Sequence, residues 1–555
     1  MPDPATTDAA APDAREGTAP GVVDDGAPVL DAADEALTGW GSWSRWFVAA
    51  IVGALAVGVV LRFVTTSPLW LDEALSVNIA RLPLADIPDA LRRDGHPPLY
   101  YVLLHGWIGA FGEGDVAVRA FSGLWGLALL PLLWVAGKRL GGPRVAWCTL
   151  AVAALSPYAL RYATETRMYA MVMVLVLAGW LLLDDVVHRG HGRSIPRLVG
   201  LALLTGTLLW THYWGMWLLA VVGVSLLVRL VRARRRAAVD GADEQATEDV
   251  AATVRAIGAL VVGGVLFLPW LPALLYQGAH TGTPWARPVR PTEMVAYTVA
   301  DLGGGGQPEA VVLGWFLVIL VLVGLTARAL TGTRLDVDLR TRPEGRPFAI
   351  AIVGTLGVAT VVGYATGATY ASRYAAVFVP FLLLLAALGL ARLPRTAFAV
   401  ALVAVLGLGL VGGYRNVTVD RSDAARSAAA IDERSRAGDL VVYCPDQLGP
   451  STSRLLTADV EQVTYPTFAD PALVDWVDYK ERLAGASPEA FAAELLERAG
   501  DRQIFLVYST SYITHEETCP ALFNAIGAQR SPEVLTDTTE AWEPSAVVVF
   551  APPAG

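Results

Sequence analysis

Apolar runs of roughly 18 to 22 residues, each long enough for a helix to cross a hydrocarbon core, recur about eleven times along the chain. A bilayer admits only backbones that satisfy their own hydrogen bonds, so each run reads as a transmembrane helix. The runs lie near 46–65, 117–137, 143–160, 168–187, 197–214, 215–231, 253–275, 309–329, 348–369, 373–392 and 396–413. Composition agrees: 54% of the 555 residues are hydrophobic and 17% charged, whereas soluble domains carry about 25% charged residues. The expected class is a polytopic α-helical membrane protein, with a transmembrane domain over 43–413.

Residues 1–42 are mainly Ala, Asp, Pro, Gly and Thr. Such a segment buries too little apolar surface to offset chain entropy, so a disordered tail is expected. It is acidic and lacks a basic n-region, which argues against a cleaved signal peptide and leaves the first run as a span. Arginine collects in alternate loops: Arg139 and Arg144, Arg189 to Arg197, Arg229 to Arg236, Arg328 to Arg346, and Arg392 with Arg395. The positive-inside rule makes those loops cytoplasmic. The amino terminus is then cytoplasmic, and the loop over 66–116 faces outward from a plasma membrane.

An odd number of spans places residues 414–555 outside as well. Short β-branched runs at 439–444, 503–509 and 546–551, and a capped helix from Ser487-Pro488-Glu489 to Gly500, make this a small extracytoplasmic α/β domain. Of the three cysteines, Cys444 and Cys519 lie here. They form either a disulfide, as an oxidising compartment permits, or two unpaired buried thiols. The formal charge of -10 resides largely in the two termini and implies no nucleic-acid partner.

The polar residues on the arginine-poor side are the candidates for function. They are Asp72, Glu73 and His96 in the first loop; Arg161, Glu165, Arg167 and Tyr169 between the third and fourth runs; His212 and Tyr213; Arg287 and Arg290; and Tyr370, Arg373 and Tyr374. Ionisable residues near membrane depth are costly and mark a site by default. If Arg161 to Tyr169 is helical, Arg161, Glu165 and Tyr169 share one face. Plainer roles exist for each: Asp72 and Glu73 suit a helix N-terminus, His96 a loop, and Arg161 with Glu165 an interfacial pair.

The motifs LWLDEALSV, DGHPPLYYVLLHGW, SPYALRYATETRMYAM, THYWG and ASRYAAVFVPF occur in this order on the expected outer side. Together they resemble the polytopic GT-C glycosyltransferases, in the branch of the protein O-mannosyltransferases and aminoarabinose transferases. The resemblance covers about residues 45 to 395 and leaves the C-terminal tail outside the shared core. It implies a GT-C fold and transfer of a sugar, mannose first among candidates, from a polyprenyl-phosphate donor to an acceptor hydroxyl, with inversion. The acceptor would be a glycolipid, lipoglycan, polysaccharide or protein, and the donor's isoprenoid chain would lie among membrane lipids.

On that resemblance Asp72 takes the acceptor's proton as general base, and Glu73 orients or substitutes for it. Arg167 and Arg373 stabilise the departing phosphate. His96 donates to phosphate or sugar; Glu165 and Tyr169 hold Arg167 or sugar hydroxyls; His212, Tyr213 and Tyr374 complete the donor site. Two adjacent acids without a second acidic cluster predict no metal, and no cofactor is expected. Rival readings are a lipid or glycan transporter or flippase, which should show internal repeats; an arabinosyl or other pentosyl transferase on the same fold; and an inactive scaffold displaying the tail.

Overall fold

The structure, a computed structural model, describes residues 43–239, 244–284, 289–331, 334–367 and 369–553. The N-terminal tail and Arg287 lie outside the described residues. Two compact units divide the chain, Met1–Val48 and Ala49–Gly555. Of the first, only residues 43–48 at the start of helix α1 are described.

Helix α1 (Trp43–Leu61) is followed by three short helices across the first polar loop, α2 (Leu71–Arg81), α3 (Ile87–Asp94) and α4 (Leu99–Phe111). Next come α5 (Asp115–Ala154), α6 (Pro157–Ala163), α7 (Tyr169–His188) and α8 (Ile195–Thr211). Then follow α9 (Gly215–Val239), α10 (Glu244–Phe267), α11 (Leu271–His280) and α12 (Pro291–Gly303). The bundle ends with α13 (Pro308–Thr326), α14 (Arg346–Thr366), α15 (Val379–Ala391) and α16 (Arg395–Thr418).

All eleven apolar runs fall on helices. Among the described residues, 7 helices are long and apolar enough to cross a membrane, and the expected spans at 46–65, 197–214 and 373–392 fall on shorter ones. Two expected spans share the 40-residue α5, whose helical path breaks at Gly141 and Gly142, the latter at φ 75°. The run expected at 143–160 does not continue as one helix. It stops at Ala154, and Ser156, whose hydroxyl accepts from the Ala159 amide, starts α6 with Pro157 in its first turn. Helix α12 was not anticipated.

Small residues bring helices close. A Cβ at Gly389 would lie 1.9 Å from the Leu320 carbonyl oxygen, and one at Gly324 2.4 Å from that of Leu385. Only glycine permits this crossing of α13 and α15, the means by which helices associate where lipid removes the hydrophobic drive. At the arginine-rich ends, Arg139 pairs with Asp185 at 2.8 Å and Arg189 with Asp184 at 2.7 Å. An unexpected hairpin, β1 (Ala327–Thr331) and β2 (Arg334–Val337), joins α13 to α14.

The C-terminal domain follows α16 directly. It comprises α17 (Ala424–Arg434), β3 (Leu440–Cys444), α18 (Gly449–Ser453), β4 (Glu461–Thr464), α19 (Tyr479–Ala484), α20 (Pro488–Ala499), β5 (Ile504–Tyr508), α21 (Thr518–Gly527), β6 (Pro532–Thr536) and β7 (Ala546–Phe550). The strands form one sheet in the order β4-β3-β5-β7-β6, parallel among the first three and antiparallel from β5 onward. Residues 440, 442 and 444 of β3 pack on one face and 441 and 443 on the other, so the sheet is buried on both sides. The three expected strands and the capped α20 are present. The two edge strands were missed because EQVT and PEVLT carry too little apolar signal. Cys444 and Cys519 form a disulfide, tying β3 to α21 and closing the alternative left open by the sequence.

Candidate active site

Asp72 and Glu73 occupy the first turn of α2, where acidic side chains suit the helix dipole. Successive residues on a helix point about 100° apart, and the two carboxylates have different environments. Asp72 faces the polar cluster and pairs with Arg373, which the 3₁₀ turn Ser372–Val377 presents ahead of α15. Glu73 turns into the protein and is 0% exposed. It accepts from Arg119 Nε at 2.8 Å and Nη2 at 2.6 Å, and from the Thr166 amide at 3.0 Å, with Arg421 Nη1 3.5 Å away. Burial alone would raise its carboxyl; Arg119, then Arg421 and the Thr166 amide, hold it below the usual carboxylate range. The expectation that Glu73 substitutes for Asp72 does not fit this geometry, because its oxygens are taken by two arginines and an amide.

His96 follows Gly95, which ends α3 at φ 91°, a conformation open to glycine at no steric cost. The Pro97-Pro98 pair then launches α4. Arg167 Nη2 lies 2.9 Å from His96 Nε2, and His96 Nδ1 2.7 Å from Asp94 Oδ2. A guanidinium only donates, so Nε2 accepts and Nδ1 carries the proton toward Asp94. His96 therefore orients Arg167 and has no Nε2 proton to give to a phosphate, contrary to expectation. Arg167 Nη1 also donates to Ser76 Oγ at 3.0 Å and Tyr101 OH at 3.2 Å.

Arg161, Glu165 and Tyr169 do not share a helical face. Helix α6 ends at Ala163 and α7 begins at Tyr169. Arg161 instead bonds Asp301 Oδ1 at 2.8 Å, with Glu165 Oε2 3.7 Å from its Nε. Glu165 thus faces Arg161 rather than holding Arg167. It is 1% exposed, neither oxygen accepts a hydrogen bond among the described residues, and burial raises its carboxyl despite Arg161. The Tyr169 hydroxyl is likewise buried without a hydrogen-bond partner among the described residues. His212 sits between rings, 5.7 Å from Tyr169 and 5.6 Å from Tyr374, and Tyr374 stacks on Trp214 at 4.9 Å. Tyr213 points elsewhere, to Gln277 and Trp270.

The structure therefore joins Asp72, His96, Arg167, Tyr169, His212, Arg373 and Tyr374, and sets Glu73, Glu165 and Tyr213 on its edges. Arg119, Arg421 and Asp94 escaped the sequence reading. The first two are arginines on the arginine-poor side, the signal that singled out Arg167 and Arg373, and Asp94 is two residues from His96. Among the described residues, one His/Cys/Asp/Glu group has metal-ligand spacing, Cys444, His515 and Cys519. Its two sulfurs are joined to each other in the disulfide.

No protein-family model matches the sequence, and no curated protein does. Solved structures do. ArnT from Cupriavidus metallidurans in the apo state aligns with a TM-score of 0.55 at 15% identity, over 93% of this chain and 98% of that one. The same protein bound to undecaprenyl phosphate aligns at 0.52 and 15%, over 91% and 98%. The chain has the GT-C fold. It is a multi-pass membrane protein of the same architecture, and an aligned share of 93% extends well beyond residues 45 to 395. At this identity the GT-C likeness defines the scaffold, while the side chains must define the chemistry.

Proposed function

We propose that the chain is a membrane glycosyltransferase that moves a sugar, mannose first among candidates, from a polyprenyl-phosphate donor to an acceptor hydroxyl on the extracytoplasmic face. The observation that carries this reading is the pairing of Asp72 with Arg373 beside an Arg167 aimed by His96 and Asp94. A carboxylate and two guanidinium groups in one polar cluster are what such a transfer requires. Asp72 removes the acceptor proton as its oxygen attacks the anomeric carbon. The bond from that carbon to the phosphate oxygen breaks on the opposite face, which inverts the configuration, and the lipid phosphate departs with its negative charge. Arg373 and Arg167 meet that charge with donors already in position. The unpartnered Tyr169 hydroxyl and the His212–Tyr374 rings line the sugar side.

A cavity of about 460 Å³ between α7, α8, α9, α14 and α15 is lined by Leu175, Trp180, Leu204 and Phe348 and, toward the arginine-rich end, by Arg139 and Asp184; its apolar part offers room for an isoprenoid chain. The solved structure that binds undecaprenyl phosphate has the same fold and supports a lipid-phosphate carrier here. Glu73 acts in this reading as an anchor for α2. The amino terminus is cytoplasmic and residues 414–555 are extracytoplasmic.

The test is transfer by the purified protein in nanodiscs. Radiolabelled polyprenyl-phosphate mannose and then pentose donors are offered with a membrane-lipid extract as acceptor, and Asp72→Asn is run in parallel. Transfer that vanishes in Asp72→Asn while donor binding persists supports the reaction and the base. Equal transfer by both removes Asp72 from the mechanism, and donor movement across the bilayer without transfer favours a flippase.

A further inference from the structure

The C-terminal domain grips the helix that carries Asp72. Glu543, in the loop before β7, is 1% exposed. Its carboxyl group lies 2.6 Å from Ser422 Oγ and 3.0 Å from Ser451 Oγ, and the Leu71 backbone is near enough to bear on its charge. Leu71 is the first residue of α2, so its N–H is one of those that a helix leaves unsatisfied. Trp70 supplies no side-chain cap.

The surrounding contacts fix Glu543 in turn. Its amide donates to the Arg421 carbonyl at 2.9 Å, and its carbonyl accepts from the Asp423 amide at 3.1 Å. These pin it to the chain just beyond α16. The preceding Trp542 meets Trp70 edge-on at 6.0 Å and lies 4.4 Å from the Arg161 guanidinium. Leu71 itself packs with Val474, Trp476 and Tyr479 of the domain. Farther along α2, Asn78 Nδ2 donates to the Ala472 carbonyl at 2.8 Å, and Arg454 donates to Asn78 Oδ1 at 3.2 Å. Both ends of the helix are thus held by one domain.

We propose that the C-terminal domain clamps the first turn of α2 through Glu543, which acts as a positioning residue for Asp72. The proposal rests on the reading of Asp72 as the base. Asp72 follows the held amide directly, so a first turn that frays carries the carboxylate away from Arg373. Burial pushes the Glu543 carboxyl up to about 8, so near neutrality it is largely uncharged, with one donor and one acceptor oxygen, and glutamine reproduces its shape with one donor and one acceptor.

The test compares wild type, Glu543→Gln and Glu543→Ala as full-length protein in nanodiscs. Amide hydrogen exchange over residues 69–77 is read by mass spectrometry, and kcat and donor KM by transfer from polyprenyl-phosphate mannose. Loss of the cap in Glu543→Ala should speed exchange about ten-fold. It should lower kcat by about the same factor with donor KM unchanged, because Asp72 is rarely in register, and glutamine should restore both. Equal exchange in all three proteins overturns the clamp; faster exchange with kcat intact overturns the positioning role. Should Glu543→Ala not fold, Ser451→Ala removes one of the hydroxyls that hold the carboxyl group and should raise exchange about three-fold; no rise overturns the proposal equally. Exchange requires no turnover, so a wild type that transfers neither mannose nor pentose refutes the glycosyltransferase reading while the exchange rates still judge the clamp.

Discussion

Replacing Glu73 by glutamine separates an anchor from a catalyst. In the structure its carboxylate receives two hydrogen bonds from Arg119 and one from the Thr166 amide, with Arg421 at 3.5 Å. The three side chains are at most 5% exposed. Glutamine offers one oxygen and turns an NH₂ donor toward a guanidinium that itself only donates, leaving two buried cations without their anion. Removing one partner of a buried pair costs about 3–5 kcal/mol. Arg119 retains the Ser67 and Pro68 carbonyls, which argues for the lower half of that range. Unfolding followed by tryptophan fluorescence in detergent should show the apparent midpoint of Glu73→Gln falling by roughly 3–5 °C. Asp72→Asn, in a pair about one-fifth exposed, should lose about 1 kcal/mol or less. Adding Arg119→Met to Glu73→Gln should recover part of the loss, because an apolar side chain tolerates the interior that an unpaired cation does not. A Glu73→Gln protein that melts within a degree or two of wild type yet transfers no sugar would refute the anchor and return Glu73 to the chemistry.

Further outcomes follow from single contacts. Tyr169→Phe removes a buried hydroxyl that has no hydrogen-bond partner among the described residues, so stability should hold or rise slightly, while kcat/KM for the donor should fall about ten-fold if that hydroxyl binds substrate. His96→Ala frees Arg167 on one side and should lower kcat by about 10- to 100-fold with the fold intact by circular dichroism; unchanged kcat removes His96 from the site. Cys519→Ser opens a link between residues 75 apart and should destabilise the C-terminal domain by up to about 4 kcal/mol, read by proteolysis of that domain. The last outcome concerns Asp446 and His515, which both meet the Tyr479 hydroxyl, at 2.6 and 2.9 Å. Burial raises the Asp446 carboxyl to about 6, so its contribution to stability is complete below the unfolded value and is lost as pH rises through 6. Burial lowers His515 from 6.5 to about 4, so its contribution is present above 6.5 and is lost as pH falls toward 4. The two slopes oppose each other between pH 4 and 6. Wild-type stability should therefore vary little there, whereas Asp446→Asn should lose about 3 kcal/mol between pH 7 and pH 4, read as a thermal midpoint against pH.

Much of the fold was legible because membrane helices announce themselves in one dimension. The lipid demands long apolar runs, and arginine collects at one end of them. The same asymmetry groups Asp72, His96, Arg167, Tyr169 and Arg373 into one candidate site from the sequence alone. Strands with apolar runs on both faces, such as β3, β5 and β7, were equally plain, and the polar edge strands were not.

What the pattern along the chain did not determine was pairing between distant residues. Asp72 and Glu73 are neighbours of the same chemical kind. Only packing decides that one meets Arg373, 301 residues away, and the other Arg119, 46 residues away and buried. The break after Ala163 that separates Arg161 from Tyr169, the turn of His96 toward Arg167, and the hold of Glu543 on α2 are likewise tertiary. Sequence alone determined which polar residues gather at one end of the apolar runs, because solvation acts on each residue separately. The tertiary structure decided which carboxylate faces the polar cluster and which is locked in the interior, because a charge's environment depends on the side chains that distant segments bring against it.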